Sequence, residues 1–477
     1  MRGAIAAGHP VTAEVGADVL RSGGNAVDAA VAACFASWVA ESPLTGAGGG
    51  GFMLVHRARD RSTRLLDFFV TVPGGGADPA AMESIAVDFS GETATPYLIG
   101  AASAAVPGVP LGLETAWRRF GSRPWAELVE PSIALALDGV AVTPAQDYLH
   151  RILAAILCAT PAGKELYDGV QLGGRFHIPE LAETLRLVAR DGAAGFYTGD
   201  VARAIVEAAP QISLDDLAGY RVIRRRPISA PFQGFEFRSN PPPSSGGVLI
   251  AYGLRLLDAW GRFDAVAVVE AMREQAAARN ASFLTDLYRG GLARRLMSSV
   301  DAPTMTTHIS VVDEQRNAVS VSCSTGAGSG VFVPGTGVHL NNMLGESDLA
   351  GLHRSGERLT SMMSPSICLE RNEPRLVVGS AGSARLRGAV MQVVVNALAR
   401  GMDVHDAVDA PRVHWDEGTV QAEGGFDASA LEASFDEVAR WKRQNLYFGG
   451  ANAVEVRDGR LAGQGDPRRG GAAVVVE

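Results

Sequence analysis

Residues 306–323 read Thr-Thr-His-Ile-Ser-Val-Val-Asp-Glu-Gln-Arg-Asn-Ala-Val-Ser-Val-Ser-Cys. Two runs rich in β-branched residues, Thr306 to Val312 and Ala318 to Cys323, flank Asp313 to Asn317, whose polar residues suit a turn. The stretch predicts a pair of adjacent strands. A threonine heading such a run is ordinarily structural, because Thr favours strands, so this pattern alone assigns Thr306 no chemistry. His308 shares the face of Thr306 by strand alternation and reads as a packed, hydrogen-bonded histidine.

Outward from this stretch, β-type runs recur at Arg375 to Val378, Ala451 to Val456 and Ala472 to Val476, with a helix over Gly388 to Arg400. Towards the N-terminus the segment from about 100 to 300 reads mainly as surface helices, among them Trp125 to Leu137, Leu181 to Arg190 and Val201 to Ala208. Arg224 to Arg226, the one basic run, reads as a solvated turn. Helical spacing from Thr12 to Leu20 ends at Gly23 and Gly24, and Asn25 is placed to cap a second helix through Ala40. That helix is nearly all Ala and Val, so it belongs in the interior. The glycine run Gly46 to Gly51 lacks the lysine of a P-loop and the spacing of a dinucleotide site, and reads as close backbone packing. Phe52 to His56 and Arg64 to Phe69 then form a hairpin around a charged turn. Strands at both ends with helices between them predict sheet layers covered by helices, an α+β architecture.

The chain has 477 residues, 47% hydrophobic and 20% charged, enough for a large core and against disorder. A net charge of −9 excludes a nucleic-acid-binding face, which needs clustered Lys and Arg. Cys34, Cys158, Cys323 and Cys368 are widely separated, without metal-ligand spacing, and read as free thiols of a reducing compartment. No leader pattern opens the chain and no run of 18 apolar residues occurs, so the expectation is a cytoplasmic protein without a membrane partner. Nine histidines show no His-x-x-x-His pair, so neither metal nor other cofactor is implied.

Five segments occur in an order that resembles the γ-glutamyltranspeptidase family. They are Ser22-Gly-Gly-Asn-Ala-Val-Asp-Ala-Ala-Val-Ala32, the Pro43 to Phe52 loop, Pro241-Pro-Pro-Ser-Ser-Gly-Gly247, Thr306 to Asp313, and Asp466-Pro-Arg-Arg-Gly-Gly471. The resemblance runs from end to end. It implies the family's four-layer αββα sandwich, the N-terminal-nucleophile (Ntn) hydrolase fold. It also implies a precursor cut between Met305 and Thr306 into segments 1–305 and 306–477, which remain together as a heterodimer within one intertwined domain. Thr306 would then be nucleophile and, through its new α-amine, base. That amine titrates at about 7.7–8.0 when unperturbed, which suits base catalysis near neutral pH. The substrate would be a small-molecule amide, and the acyl group would pass to water or an amine.

The resemblance also places a hydroxyl partner of the nucleophile at Ser324 and an oxyanion hole in Gly379-Ser-Ala-Gly-Ser-Ala-Arg385, formed by backbone N–H groups at Gly382 and Ser383. On the substrate side the chain departs from the family. Phe69 stands where an arginine grips the substrate carboxylate, Gly326 where an asparagine is expected, Met343 for a glutamine and Met362 for a second serine beside Ser361. Glu346 keeps the acidic position for the substrate amine. The nucleophile side is retained and the amino-acid-recognition side is largely lost. This pattern resembles the branch containing cephalosporin and glutaryl acylases, whereas a non-catalytic binding protein is the reading from another class.

Overall fold

Short runs of β-branched residues assemble into two antiparallel sheets, in a computed structural model that describes residues 1–76, 78–88, 94–278, 306–346, 354–382 and 385–477. Met305 and Ser383 lie outside the described residues. In chain order the sheet strands are β1 (Gly3–Ala7), β2 (Gly50–Arg57), β3 (Ser62–Phe68), β4 (Ile223–Arg225), β5 (Ile228–Phe232), β6 (Phe235–Ser239), β7 (Thr307–Asp313), β8 (Ala318–Ser324), β9 (Ser366–Glu370), β10 (Glu373–Ala381), β11 (Gly450–Arg457), β12 (Arg460–Gln464) and β13 (Ala472–Val476). The first sheet runs β13-β1-β7-β8-β2-β3-β4 and the second β12-β11-β10-β9-β6-β5.

Helices α1 (Pro10–Arg21) and α2 (Ala26–Ala40) cover the outer face of the first sheet, and α3 (Gly246–Trp260) and α4 (Arg385–Val394) that of the second. The architecture is the αββα sandwich. Alternation decides which residue goes where. Ile5, Ile309, Val311, Val319 and Val321 join the apolar cluster under α1 and α2, whereas Ala4, Ala6, Phe52, Leu54 and Val312 join the one shared with the second sheet.

Asn25 caps α2 as its sequence predicts: its side chain accepts from Val27 and Asp28 N–H, and Asp28 returns a bond to the Asn25 N–H. All fifteen residues of α2 are buried. An alanine surface lets other elements approach on every side, which is why this helix carries almost no polar face.

Two expectations are corrected. Arg224 and Arg225 are not in a turn: they belong to edge strand β4, where Arg225 reaches buried Asp67 at 2.7 Å. The helix expected over Gly388 to Arg400 spans Arg385–Val394 and then widens into a π-turn, Val395–Ala399. The middle of the chain also holds β5 and β6, which its helical reading leaves out.

Candidate active site

Thr306 immediately precedes β7. Thr307 pairs with Cys323 in the β7–β8 register, so one further step sets Thr306 opposite Ser324, which pairs on its other side with Gly50. A Cβ on Gly49 would come within 2.3 Å of the Ser324 carbonyl oxygen, so only a hydrogen fits there. Thr306 is 1% exposed, and its Oγ1 has no hydrogen-bond partner. Buried hydroxyls nearly always find one, so this isolation marks the residue. The side-chain bond expected between Thr306 and Ser324 is not formed in this structure, where Ser324 Oγ accepts the Gly326 N–H at 2.8 Å.

Even-numbered residues of β7 face the second sheet. His308 lies over Gly379 of β10, where a Cβ would meet its ring at 2.3 Å. Towards the β10 terminus the strand reaches Ala381 and then Gly382, which turns into α4 at φ +120°. Continuing the same progression carries the Thr306 face towards Gly382. The His308 Nδ1 lies 2.8 Å from Ser322 Oγ and Nε2 3.0 Å from Ser310 Oγ. Burial pushes its pKa down to about 3, so the ring is neutral and packs as expected.

On the opposite face Thr307 Oγ1 donates to Glu41, just beyond the C-terminus of α2, and Thr12 Oγ1 donates to the other carboxylate oxygen at 2.8 Å. Desolvation raises the Glu41 pKa to about 7 against the lowering effect of these bonds and of Arg469. Sequence reasoning misses Glu41. Its only signal is an acidic residue closing a helix whose one other charge, Asp28, is used at the N-cap.

The substrate-side positions divide. Gly326 adopts φ +71° next to Ser324, and a Cβ there would meet Asn342 Oδ1 at 2.0 Å and Glu346 Oε1 at 2.7 Å, so Glu346 faces Gly326. Phe69 and Met343 are buried in the core between the sheets, and Phe69 stacks on Phe52 at 5.4 Å. Ser361 and Met362 make a separate contact. The Ser361 carbonyl accepts the Ser245 N–H at 3.0 Å, and Met362 Sδ accepts the Ser245 hydroxyl at 2.9 Å, which latches Pro241–Gly247 onto this segment. The structure thus gathers Thr306, Ser324, Gly326 and Glu346 at one end of the first sheet. Among the described residues no group of three or more His, Cys, Asp or Glu is placed to hold a metal.

A family model described as gamma-glutamyltranspeptidase matches residues 12–295 and 285–476. Acylase ACY 1 proenzyme of Pseudomonas sp. (strain SE83) is 31% identical over 100% of this chain and 94% of its own length. Glutathione hydrolase proenzyme of Pseudomonas aeruginosa is also 31% identical, over 100% and 95%, and that of Escherichia coli (strain K12) is 29% identical over 98% and 90%. In fold, the crystal structure of cephalosporin acylase from Bacillus halodurans superposes with a TM-score of 0.84 at 24% identity, covering 100% of this chain and 96% of that one.

These relatives correct the cytoplasmic expectation. Their names describe proenzymes, chains that mature, so the start of a chain of this kind does not fix its compartment. The thiols do not fix it either: Cys34, Cys323 and Cys368 are buried, and buried thiols are poorly accessible to oxidants in any compartment. Among the described residues no helix is long and apolar enough to cross a membrane.

Proposed function

Because this chain belongs to the gamma-glutamyltranspeptidase family, it is an Ntn amide hydrolase and acyltransferase, and we propose that Thr306 is the residue that carries the acyl group. The observation behind this reading is the buried, unpartnered Thr306 Oγ1 at the head of β7. In the precursor this oxygen attacks the Met305 carbonyl carbon. The peptide nitrogen leaves with a proton as the acyl chain moves to oxygen, and water hydrolyses the ester. The products are segment 1–305 ending in a carboxylate and segment 306–477 beginning with a free amine.

In turnover the α-amine takes the Thr306 hydroxyl proton as Oγ1 attacks the substrate amide. The backbone N–H groups at Gly382 and Ser383 stabilise the oxyanion, and the leaving amine takes the proton. Water or an acceptor amine then attacks the ester and frees Thr306. Ser324, opposite Thr306, orients the hydroxyl once Met305 is released. Gly326 and Glu346 form the acyl side of the site, with Glu346 available to a substrate amine, whereas Met343 packs in the core and Ser361 and Met362 hold the Pro241–Gly247 segment.

A second reading, an N-acyl amidohydrolase without γ-glutamyl specificity, is favoured by Phe69. A ring stacked in the inter-sheet core cannot replace the bidentate grip of a guanidinium on a carboxylate. Intact-mass measurement tests the central proposal. Wild type should give two polypeptides, 1–305 and 306–477, whereas Thr306→Ala should remain one inactive chain and Thr306→Ser should process slowly. A fully active, uncut wild type would overturn the assignment.

A further inference from the structure

Glu41, the residue that closes α2, grips both strands that carry the Thr306–Ser324 pair. Its side chain takes β7: Thr307 Oγ1 donates to one carboxylate oxygen, and Thr12 Oγ1, from α1, to the other. Its main chain takes the end of β8. The Glu41 carbonyl accepts the Leu44 N–H at 2.8 Å and the Thr45 N–H at 3.2 Å, and the Leu44 carbonyl accepts the Thr325 N–H at 3.2 Å, one residue beyond Ser324. The fit leaves no slack, since a Cβ on Gly8 would collide with the carboxylate.

Glu41 is 3% exposed, and its side-chain hydrogen bonds go to hydroxyls and not to a cation. Burying a carboxylate on these terms is costly. A tie between two hydroxyls needs no charge, because a neutral amide would make it with less desolvation. The acid therefore points to a use for its charge. Cleavage before Thr306 creates a cation one residue from Thr307, and covalent geometry keeps its nitrogen within about 9 Å of the carboxylate. Buried charges at this separation are screened little.

The ionisable groups packed around the carboxylate leave this role open. Cys34 on α2 is a neutral thiol, its pKa raised by its hydrogen bond with Cys323 and by burial. His9, at the start of α1, is pushed down to about 4 by burial and is uncharged. Arg469 favours the ionised form from outside hydrogen-bond range, yet desolvation outweighs it and keeps the Glu41 pKa at about 7. Cleavage leaves these groups in place and adds the amine.

We propose that Glu41 is a positioning residue for Thr306: it holds the head of β7 through Thr307 and, once the chain is cut, supplies the counter-charge to the new α-amine. The proposal rests on Thr306 as the acyl carrier. An anion nearby favours the protonated amine, which makes the amine a stronger base for the hydroxyl proton.

The test measures kcat and KM of matured protein on γ-glutamyl and glutaryl anilides between about pH 5 and about pH 9, a range that spans the ordinary value of an α-amine. Wild-type kcat/KM should rise with pH as the amine loses its proton. Glu41→Gln keeps a neutral acceptor for the hydroxyls and should move this rise to lower pH by about one unit. Thr307→Val removes the hydroxyl within the same side-chain shape and should lower kcat about tenfold with KM little changed, whereas Thr307→Ser, which restores the hydroxyl, should recover most of the loss. The two Thr307 variants, followed by intact mass, should self-cleave in the same order, which reads the hold without a substrate. An unmoved rise in Glu41→Gln overturns the counter-charge, and equal kcat in Thr307→Val and wild type overturns the hold. If Glu41→Gln fails to mature, the Thr307 pair decides alone, and equal kcat and self-cleavage in both overturns the proposal. A wild type that matures and cleaves while its variants match it overturns only the role of Glu41, whereas one that neither matures nor cleaves either anilide overturns the Thr306 reading with it.

Discussion

At residue scale the site depends on backbone as much as on side chains. Gly382 sits at φ +120°, where a side chain is strained, and a Cβ would come within 3.0 Å of Gly449 Cα. Proline cannot adopt this angle, so Gly382→Pro should abolish activity. Ser383→Ala should keep activity within about several-fold, since the proposed donor is a main-chain N–H. Loss of one such donor costs about 2.7–4 kcal/mol in other enzymes, so a comparable loss from Ser383→Ala, measured as kcat, would show that the hydroxyl itself takes part. The proposed positions Thr306, Ser324 and Gly382 were legible because they sit in ordered motifs. Glu41 was not: it looks ordinary in sequence, and folding buries its carboxylate against Thr307, the residue after Thr306.

At the scale of elements, Glu41 ties the end of α2 to Thr307 on β7 and makes this junction sensitive to pH. Its pKa rises from an ordinary value of 4.5 to about 7 on folding, chiefly by desolvation. The folded chain therefore holds an extra proton between these values. The stability from protonated Glu41 is full below 4.5 and is lost as pH rises through about 7. Glu41→Gln never takes the buried charge, so its melting temperature should gain on wild type between about pH 5 and about pH 8. Parallel melting curves over this range would mean that Glu41 titrates normally.

Among the elements, α2 and the β7–β8 hairpin were readable because cap, composition and alternation agree. The β5–β6 hairpin was not. Pro231 argues against a strand, yet β5 is the edge of its sheet, where a missing N–H costs little, and β6 alternates over only five residues, Phe235–Ser239, too short a run to stand out among helices.

For the whole molecule, the order of the first sheet governs how the proposed segments relate. β1 lies between β13 and β7, while β8 pairs with β2, so the strands of 1–305 and 306–477 interleave. After cleavage at Thr306 the two polypeptides should elute together in native size exclusion and separate only in denaturant. Dissociation in plain buffer would show that the sheet does not bind them as described. The layered architecture was legible from strands at both ends of the chain and an intertwined domain was implied by the resemblance, but the strand order was not legible, because it depends on long-range pairing that composition does not encode.

With the proposed cut before Thr306, the interleaving would also make maturation a change in reaction order. An uncut Thr306→Ala chain refolds by a first-order process whose rate is independent of protein concentration. A matured pair released by denaturant must first find its partner, so recovery becomes second order and slows with dilution. Under the proposed cleavage, the peptide bond at Met305 would provide, during the first folding, a proximity that the mature protein no longer has.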